Sequence, residues 1–201
     1  MQAEYCFVIP CYNRFEYLRE CIESLRSQTV RTWEAVLVDD GSTDGDIASV
    51  VAGFSDSRLK WIRHEKKCGP GAARNTGFRN TDSKLIVQVD GDDRISPDYL
   101  AHMGKLFKDD EMLDCAYPDL QLFGAEQGRW CMDGKTDGTL LLRQTIPCGS
   151  VMMKRQLWER VGGYDEAPEL VFGNEDWEFW LRAVEKGFQV RHLCEPLYDY
   201  R

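Results

Sequence analysis

The sequence predicts an α/β fold with a mostly parallel central sheet flanked by helices. In the first half of the chain, short apolar runs rich in β-branched residues alternate with stretches in which apolar residues recur at helical spacing. This alternation is typical of parallel strands joined by right-handed crossovers. The length of 201 residues, with 43% hydrophobic and 29% charged residues, fits one large globular domain. We therefore expect a single domain over 1–201, made of the halves 1–96 and 97–201.

Individual elements follow from the same periodicities. The predicted strands are 5–9, 33–38, 59–63, 84–89, 150–153 and 188–194. The predicted helices are 15–28, 71–80, 97–108 and 175–186. Ser96 and Pro97 have the residue types of an N-cap and a first helical position. The polar stretch 124–138 contains four glycines and is expected to be a surface loop.

The last predicted helix is amphipathic. Asn174 precedes it and is a residue type that caps helices, and Gly187 follows it as a helix terminator. The apolar face expected to be buried consists of Trp177, Trp180, Leu181 and Val184.

The charge balance is acidic, with 25 Lys and Arg against 34 Asp and Glu and a net charge of −9. A nucleic-acid partner is not expected, because such proteins carry a basic surface. No run reaches the length of a membrane-spanning helix, and residues 1–5 lack the features of a signal peptide. We expect a cytoplasmic protein and leave open a peripheral association with the inner face of the membrane.

The eight cysteines are scattered and include no pair with the spacing of a metal site. Several, including Cys6, Cys21, Cys115 and Cys194, lie in or beside apolar patterns. Reduced and mostly buried thiols are therefore expected, and structural zinc is not.

Three carboxylates, Asp90, Asp92 and Asp93, follow the predicted strand 84–89. Like charges repel and are costly to bury without a partner. Mg²⁺ or Mn²⁺ would be such a partner, because hard cations take carboxylate oxygens and leave positions for substrate phosphates. The alternative is an exposed acidic turn, since Asp and Gly are common turn residues.

Two other polar clusters also follow predicted strands, at 10–13 and 39–42. Ligands of open α/β sheets lie at the carboxyl ends of the strands. These clusters and 90–93 should therefore converge on one crevice, unless they are simply polar loops.

Motifs spread along nearly the whole chain resemble those of the family 2 glycosyltransferases. They are VIPCYNR at 8–14, QT at 28–29, WEAVLVDDGSTD at 33–44, GPGAARNTG at 69–77, DGDD at 90–93, GGYDE at 162–166, NEDWE at 174–178 and LYDYR at 197–201. The resemblance implies the GT-A (Rossmann-like) fold, with a nucleotide-sugar-binding half at 1–96 and an acceptor and catalytic-base half at 97–201. It also implies inverting transfer of a sugar from a nucleotide donor.

The resemblance places the nucleotide in a pocket that includes Pro10, Tyr12, Asn13 and Asp40. Tyr12 would stack on uracil, although a tyrosine packed at the sheet edge is the alternative. Asp40 would accept the imide N–H of uracil, and a carboxylate, which cannot donate, suits uracil better than cytosine. Asp39 would hold the loop through backbone amides.

The diphosphate region would consist of Arg74, Asp90 and Asp92. By resemblance Asp92 binds Mn²⁺ or Mg²⁺, while Asp90 contacts the ribose or reaches the metal through water. Asp93 is expected to support these residues without binding the ion, and direct binding of the ion is the alternative. Arg74 would contact the diphosphate, and its alternative is a surface ion pair.

On the acceptor side, the resemblance makes Asp176 the catalytic base. Asp165, Glu166, Glu175 and Trp177 are acceptor-side candidates. Ordinary first-turn acids of a helix are the alternative for Glu175 and Asp176, and a local turn cap is the alternative for Asp165 and Glu166.

Two further side chains have weaker signals. Trp130, in the polar loop, is a candidate to stack on a sugar. His192 could reach the metal, but a structural histidine is the preferred interpretation.

The sequence thus favours a metal-dependent transferase that moves a sugar from a UDP-sugar to a saccharide or lipid-linked acceptor in cell-surface polysaccharide biosynthesis. A sugar nucleotidyltransferase is an alternative, but residues 8–14 lack the glycine-rich, lysine-containing pyrophosphate loop that it needs. A catalytically silent nucleotide-sugar-binding module is another, although Asp90, Asp92 and Asp176 are all present. No oligomeric state is predicted.

Overall fold

The computed structural model describes residues 3–131 and 148–201. The strands there are β1 (Tyr5–Cys11), β2 (Trp33–Asp39), β3 (Leu59–Arg63), β4 (Leu85–Gln88), β5 (Arg94–Ile95), β6 (Cys115–Leu122), β7 (Gly128–Trp130), β8 (Met152–Lys154) and β9 (Val190–Tyr200). The helices are α1 (Phe15–Arg26), α2 (Ile47–Ala52), α3 (Pro70–Arg79), α4 (Tyr99–Asp109), α5 (Arg155–Val161) and α6 (Glu175–Glu185).

The strands form one sheet in the order β3-β2-β1-β4-β8-β6-β9-β5, with β7 added beside β6. β1 is parallel to β2 and β4, and β2 is parallel to β3, as predicted for the first half. Beyond β4 the sheet is mixed, because β8 runs antiparallel to both β4 and β6, whereas β6 and β9 are parallel. The α/β class is therefore confirmed, and the parallel pairing is concentrated in the first four strands.

Helices cover both faces of the sheet. Side chains of β1 alternate between the two cores, with Phe7 and Ile9 in one and Cys6 and Val8 in the other, as strand geometry requires. The first core is covered by α1, α2 and α4, and the second by α3, α5 and α6. Within this three-layer packing, the parallel pairing of β1 with β2 and β4 places their carboxyl ends at one edge.

Helix α6 buries a different face from the one predicted. Trp180 is buried and Val184 packs against the second core, as expected, but Trp177 and Leu181 are 40% and 45% exposed. The buried face is instead built around Phe179, which stacks on Tyr164 with ring centroids 4.5 Å apart. This aromatic contact determines how the helix is rotated against the core.

Asn174 occupies the N-cap position of α6 but does not cap the helix with its side chain. Its φ of 68° is left-handed, so the residue turns the chain into the helix rather than accepting from it.

Several elements were not predicted or were misjudged in extent. Helices α2 and α5 and strands β5 and β6 were missed, and β7 lies within the predicted loop 124–138, whose residues from 132 onward are outside the described ones. Strand β9 extends to Tyr200 rather than ending at Cys194. Its pairing with β6 is irregular between Pro118 and Leu120.

Every cysteine that the structure describes in full is free. The buried ones are Cys6, Cys11, Cys21 and Cys115, in agreement with the prediction for most thiols. Cys194, expected in an apolar strand, is exposed. Across 3–131 and 148–201, helices of the length and apolarity needed to cross a bilayer are absent.

Candidate active site

A cleft of about 880 Å³ opens at the carboxyl ends of β1, β2 and β4. The predicted site residues that line it are Pro10, Tyr12, Asn13, Asp40, Arg74, Asp90, Asp92, Glu175 and Asp176. The three polar clusters at the strand ends therefore converge, together with the start of α6.

The loops after β1 and β2 are locked together by Asn13. Its backbone N–H donates to the Ser42 hydroxyl at 2.8 Å, and its side-chain oxygen accepts from the Thr43 N–H at 3.0 Å. Asn13 has a φ of 55°, a left-handed conformation that asparagine tolerates better than most residues. Its side chain shapes the floor of the cleft.

Asp39 holds the loop that follows β2, as the resemblance implied. Its Oδ1 accepts from the Ser42 N–H at 2.8 Å, and its Oδ2 lies 3.2 Å from Arg63 Nη1. The side chain is fully buried.

Asp40 is buried at the base of the cleft and accepts several hydrogen bonds. Its Oδ1 accepts from the Cys68 N–H at 2.9 Å and from His64 Nδ1 at 2.7 Å, and its Oδ2 accepts from the Gly69 N–H at 2.8 Å. Because a carboxylate oxygen has two lone pairs, Oδ2 retains capacity for one further donor. Asp40 thus anchors the start of α3 and can still accept a ligand N–H.

Gly69 has a φ of 98°, which glycine adopts without strain and which turns its N–H toward Asp40. A Cβ at this position would lie 2.8 Å from the Val171 Cα. The close approach brings the segment before α6 against the start of α3.

Tyr12 lies at the mouth of the cleft, and the residue is 42% exposed. The Lys67 ammonium sits 4.3 Å from the Tyr12 ring centroid and 4.9 Å from the Phe172 ring centroid. Phe172 also lines the cleft and is 88% exposed. An exposed ring beside Asp40 provides a face on which a planar base can stack.

The acidic loop after β4 is partly neutralised by arginines. Asp92 forms an ion pair with Arg14, and Asp90 accepts from Arg74 Nη2 at 2.9 Å. The side chains of Asp90 and Asp92 remain 33% and 22% exposed toward the cleft.

Asp93 points away from solvent and is held by the end of β9. The Tyr198 hydroxyl donates to it at 2.7 Å and the Arg201 N–H at 2.8 Å. Tyr198 also accepts from the Asp90 N–H at 3.2 Å. Burial, followed by the charge of Asp90, raises the pKa of Asp93 to about 8.

These residues fit a hard divalent cation. Asp90, Asp92 and Asp93 supply only oxygen donors, and burial, followed by the charge of Asp90, raises the pKa of Asp93. Asp92 and Asp90 could bind the ion directly or through water, while Asp93 is already engaged by Tyr198 and Arg201.

Arg74 is buried and bridges two parts of the site. It pairs with Glu175 on the first turn of α6 as well as with Asp90. This is an ion pair, but a buried one rather than the surface pair considered as the alternative. It places the guanidinium beside the acidic loop, where a diphosphate would bind.

Asp176 lines the cleft at the first turn of α6 and is half-buried. Helix N-termini favour ionised carboxylates. Glu175, one residue earlier, is turned inward to Arg74, so the two neighbouring acids have different surroundings.

The remaining acceptor-side candidates are not among the residues that line the cleft. Asp165 accepts from the Ala167 N–H at 2.9 Å, which is the turn-capping contact of the alternative. Glu166 accepts from Asn75 at 2.7 Å and Arg79 at 3.1 Å. Trp177 is exposed on the outer face of α6.

Trp130 lines the cleft and is 45% exposed, so it remains a candidate for sugar stacking. His192 donates through Nε2 to Asp119 at 2.7 Å and stacks on Tyr117, which agrees with a structural histidine. It is not among the cleft residues.

Sequence reasoning assigned no role to several residues that form the site. They are Arg14, His64, Lys67, Phe172, Tyr198, Tyr200 and Arg201. The motif at 197–201 was the available signal for the last three, but their contact with the acidic loop depends on the position of β9 beside β5.

Comparisons with known proteins agree with this architecture. A family model described as Glycosyl transferase family 2 matches residues 6–153, and one described as the N-terminal domain of galactosyltransferase matches 141–201. The putative glycosyltransferase EpsE of Bacillus subtilis (strain 168) is 28% identical over 199 residues, covering 96% of this chain and 71% of EpsE. EpsH of the same organism, also a putative glycosyltransferase, is 39% identical over 113 residues, 55% of this chain and 32% of EpsH.

Solved structures share the fold. S. aureus TarS 1–349 in complex with UDP-GlcNAc has a TM-score of 0.82 at 19% identity and covers 100% of this chain and 58% of its own. The mannosyltransferase PcManGT from Pyrobaculum calidifontis, in complex with GDP-Man and Mn²⁺, has a TM-score of 0.76 at 20% identity and covers 100% and 57%. The chain therefore spans less than two thirds of both structures and of EpsH. The fold is GT-A, and the chain belongs to glycosyltransferase family 2.

Proposed function

We propose that this chain transfers a sugar from a UDP-sugar to a saccharide or lipid-linked acceptor, with inversion and with Mn²⁺ or Mg²⁺ at the diphosphate. The observation that carries the proposal is the convergence of Tyr12, Asp40, Asp92 and Asp176 on one cleft of about 880 Å³. That volume lies within the range usual for small-molecule sites, roughly 300–1,000 Å³.

Recognition of the base is assigned to Tyr12 and Asp40. The exposed Tyr12 ring would stack on uracil, and the remaining acceptor capacity of Asp40 Oδ2 would take the imide N–H. The UDP and UDP-GlcNAc complexes of TarS support uridine as the base. The GDP-Man complex of PcManGT makes guanosine the competitor to test.

The diphosphate is assigned to the space between Arg74 and the acidic loop. Asp92 would hold the metal and Asp90 the ribose or a metal-bound water, and the Mn²⁺ complex of PcManGT supports this choice of ion. When bound, the metal would neutralise charge on the departing diphosphate. Arg14 forms an ion pair with Asp92, and this ion pair would have to break for Asp92 to bind the metal.

Proton removal is assigned to Asp176. A base must be ionised and within hydrogen-bond reach of the acceptor hydroxyl, and Asp176 lies in the cleft at a helix N-terminus. Glu175 is committed to Arg74 and would orient the turn that bears Asp176. One base acting on one acceptor gives a single displacement and therefore inversion at the anomeric carbon.

The biological setting is assigned from relatives. Those similar over 95–96% of this chain include the O-antigen biosynthesis protein RfbC of Myxococcus xanthus and the chondroitin synthase of Escherichia coli, at 28% and 27% identity. Polysaccharide synthesis, at the inner face of the membrane, is the corresponding proposal here.

The first test is calorimetric titration of UDP, GDP and CDP, each with Mn²⁺ and with EDTA. We expect UDP to bind in a metal-dependent manner and CDP to bind weakly. Preference for GDP would overturn the uridine assignment, and binding that is equal in EDTA would overturn the metal.

Asp92→Asn is the matched variant for the titration, and Asp82→Asn, at an exposed carboxyl outside the cleft, is its control. We expect only Asp92→Asn to lose metal-dependent UDP binding. Unchanged binding in both would remove Asp92 from the metal site. Release of UDP from UDP-sugars in the presence of candidate acceptors then tests transfer itself.

A further inference from the structure

A second cluster of reactive side chains lies where β6 and β9 pair irregularly. His192 Nε2 is 2.7 Å from Asp119 Oδ1, and His192 Nδ1 is 3.6 Å from Cys194 Sγ. The side chains of His192 and Asp119 are 4% and 1% exposed, whereas Cys194 is exposed. A buried acid, a buried imidazole and an accessible thiol are therefore arranged in series.

The partners fix the tautomer of the imidazole. Asp119 Oδ2 accepts from Arg129 Nη2 at 2.6 Å and from Nε at 3.1 Å, so this carboxylate is the acceptor of an ion pair with a guanidinium. His192 must consequently carry its proton on Nε2, the nitrogen that faces Asp119. Nδ1 then presents a lone pair to the thiol of Cys194, which is the geometry of a base acting on a nucleophile.

A guanidinium and an imidazole lie beside Cys194. Arg129 also donates through Nη2 to the Cys194 carbonyl oxygen at 2.9 Å, which brings a positive charge close to the residue. The buried thiols differ: burial raises the pKa of Cys6 to about 12 and raises that of Cys115 well above its ordinary value.

We propose that Cys194 is a modification site, a nucleophilic thiol that exchanges with small organic disulfides. His192 Nδ1 takes the thiol proton, and Cys194 Sγ attacks one sulfur of the disulfide. That S–S bond breaks, a mixed disulfide forms on Cys194, and the departing thiolate takes the proton from His192. One thiol and one disulfide give one thiol and one disulfide, so the exchange needs no other oxidant.

The site is separate from the cleft, because Cys194, His192 and Asp119 are not among the residues that line it. The proposal therefore stands independently of the transferase assignment. It concerns the same strand, however, since β9 continues to Tyr198, which holds Asp93.

The test compares two exposed cysteines in the same wild-type sample. Cys131 is exposed and also feels the charge of Arg129, but His192 Nδ1 faces Cys194. The folded protein is treated with a substoichiometric amount of 2,2′-dithiodipyridine, release of pyridine-2-thione is followed, and the modified peptides are identified by mass spectrometry. We expect Cys194 to react at least about tenfold faster than Cys131, because a positioned base contributes at least that much.

Two variants test whether the fast reaction occurs at Cys194 and whether it depends on His192. Cys194→Ser should lose the fast phase. His192→Gln keeps an N–H for Asp119 but offers only an amide, which cannot take the proton. The reaction rate of Cys194 in this variant should therefore fall to that of Cys131. Circular dichroism and the thermal midpoint show whether His192→Gln is folded.

Equal rates for Cys194 and Cys131 in the wild type would overturn the proposal, and this comparison needs no variant. An undiminished fast phase in folded His192→Gln would overturn the role of the imidazole as base.

Discussion

Arg74 and Glu175 form an ion pair in which the two side chains are only 5% and 6% exposed. Because the same guanidinium donates to Asp90 at 2.9 Å, it connects α3, the first turn of α6 and the end of β4. The metal-binding and proton-removing parts of the proposed site therefore share one buried cation.

Removing this cation should destabilise the fold strongly. Arg74→Met leaves Glu175 buried without its counter-charge, and breaking a buried pair in this way costs about 3–5 kcal/mol. Arg79→Met is the matched control, since the Arg79–Glu166 pair is 57% and 45% exposed and such a pair is worth at most about 1 kcal/mol. Urea unfolding followed by circular dichroism measures both, and similar losses would contradict a structural role for Arg74.

The base assignment predicts a loss of turnover without a loss of donor binding. Asp176→Asn cannot take the acceptor proton, so the rate of transfer should fall by about 10²–10⁴ while UDP affinity stays near the wild-type value. Asp165→Asn, outside the cleft, should retain activity. Full activity in Asp176→Asn would eliminate it as the base.

Stacking on Tyr12 should appear in nucleotide affinity. Tyr12→Ala removes the ring of a residue that is 42% exposed at the mouth of the cleft, and base–aromatic stacking is worth about 1–3 kcal/mol. Calorimetry should thus find UDP bound roughly 5- to 150-fold more weakly. Tyr12→Phe keeps the ring and should bind nearly normally, so a matching loss in Phe would point to the hydroxyl instead.

The pKa of Asp93 predicts how stability depends on pH in the metal-free protein. Burial and Asp90 raise this pKa to about 8, whereas an unfolded Asp titrates near 3.9. Between roughly pH 4 and pH 8 the folded state keeps a proton that the unfolded state releases, so the free energy of unfolding falls as the pH rises.

Asp93→Asn removes that titration. Urea unfolding in EDTA across this pH range should show a wild-type decline that the variant lacks, with Asp82→Asn as the exposed control. Parallel profiles for wild type and Asp93→Asn would show that Asp93 ionises normally.

The sequence alone was sufficient to predict the helices and strands whose apolar residues recur with a clear period. Strands β1, β2 and β4 are apolar runs, and their parallel pairing places 10–13, 39–42 and 90–93 at one edge, as predicted. Strand β6 was missed because Pro118 and Asp119 interrupt its apolar run, and Asp119 is buried with His192 and Arg129 as partners. The partners of a buried charge can come from distant parts of the chain, and they then leave no pattern in the local sequence.

The rotation of α6 shows the same limit. Its period indicated a helix, but Trp177 and Leu181 were assigned to the wrong face because several faces are apolar. In the structure the face that carries Phe179 is the buried one, and Phe179 stacks there on Tyr164. Likewise, the motif identified Arg74, but its burial between Glu175 and Asp90 depends on tertiary packing.

The hydrogen bonds from Tyr198 and Arg201 to Asp93 have a consequence for protein engineering. One design of chimera joins the first half of one family member to the second half of another. In this chain a junction at residue 97 would part β5 from its partner β9 and Asp93 from both of its donors. A chimera should therefore take the 90–96 segment and β9 from the same parent protein. The acidic loop then keeps the strand that holds it in place.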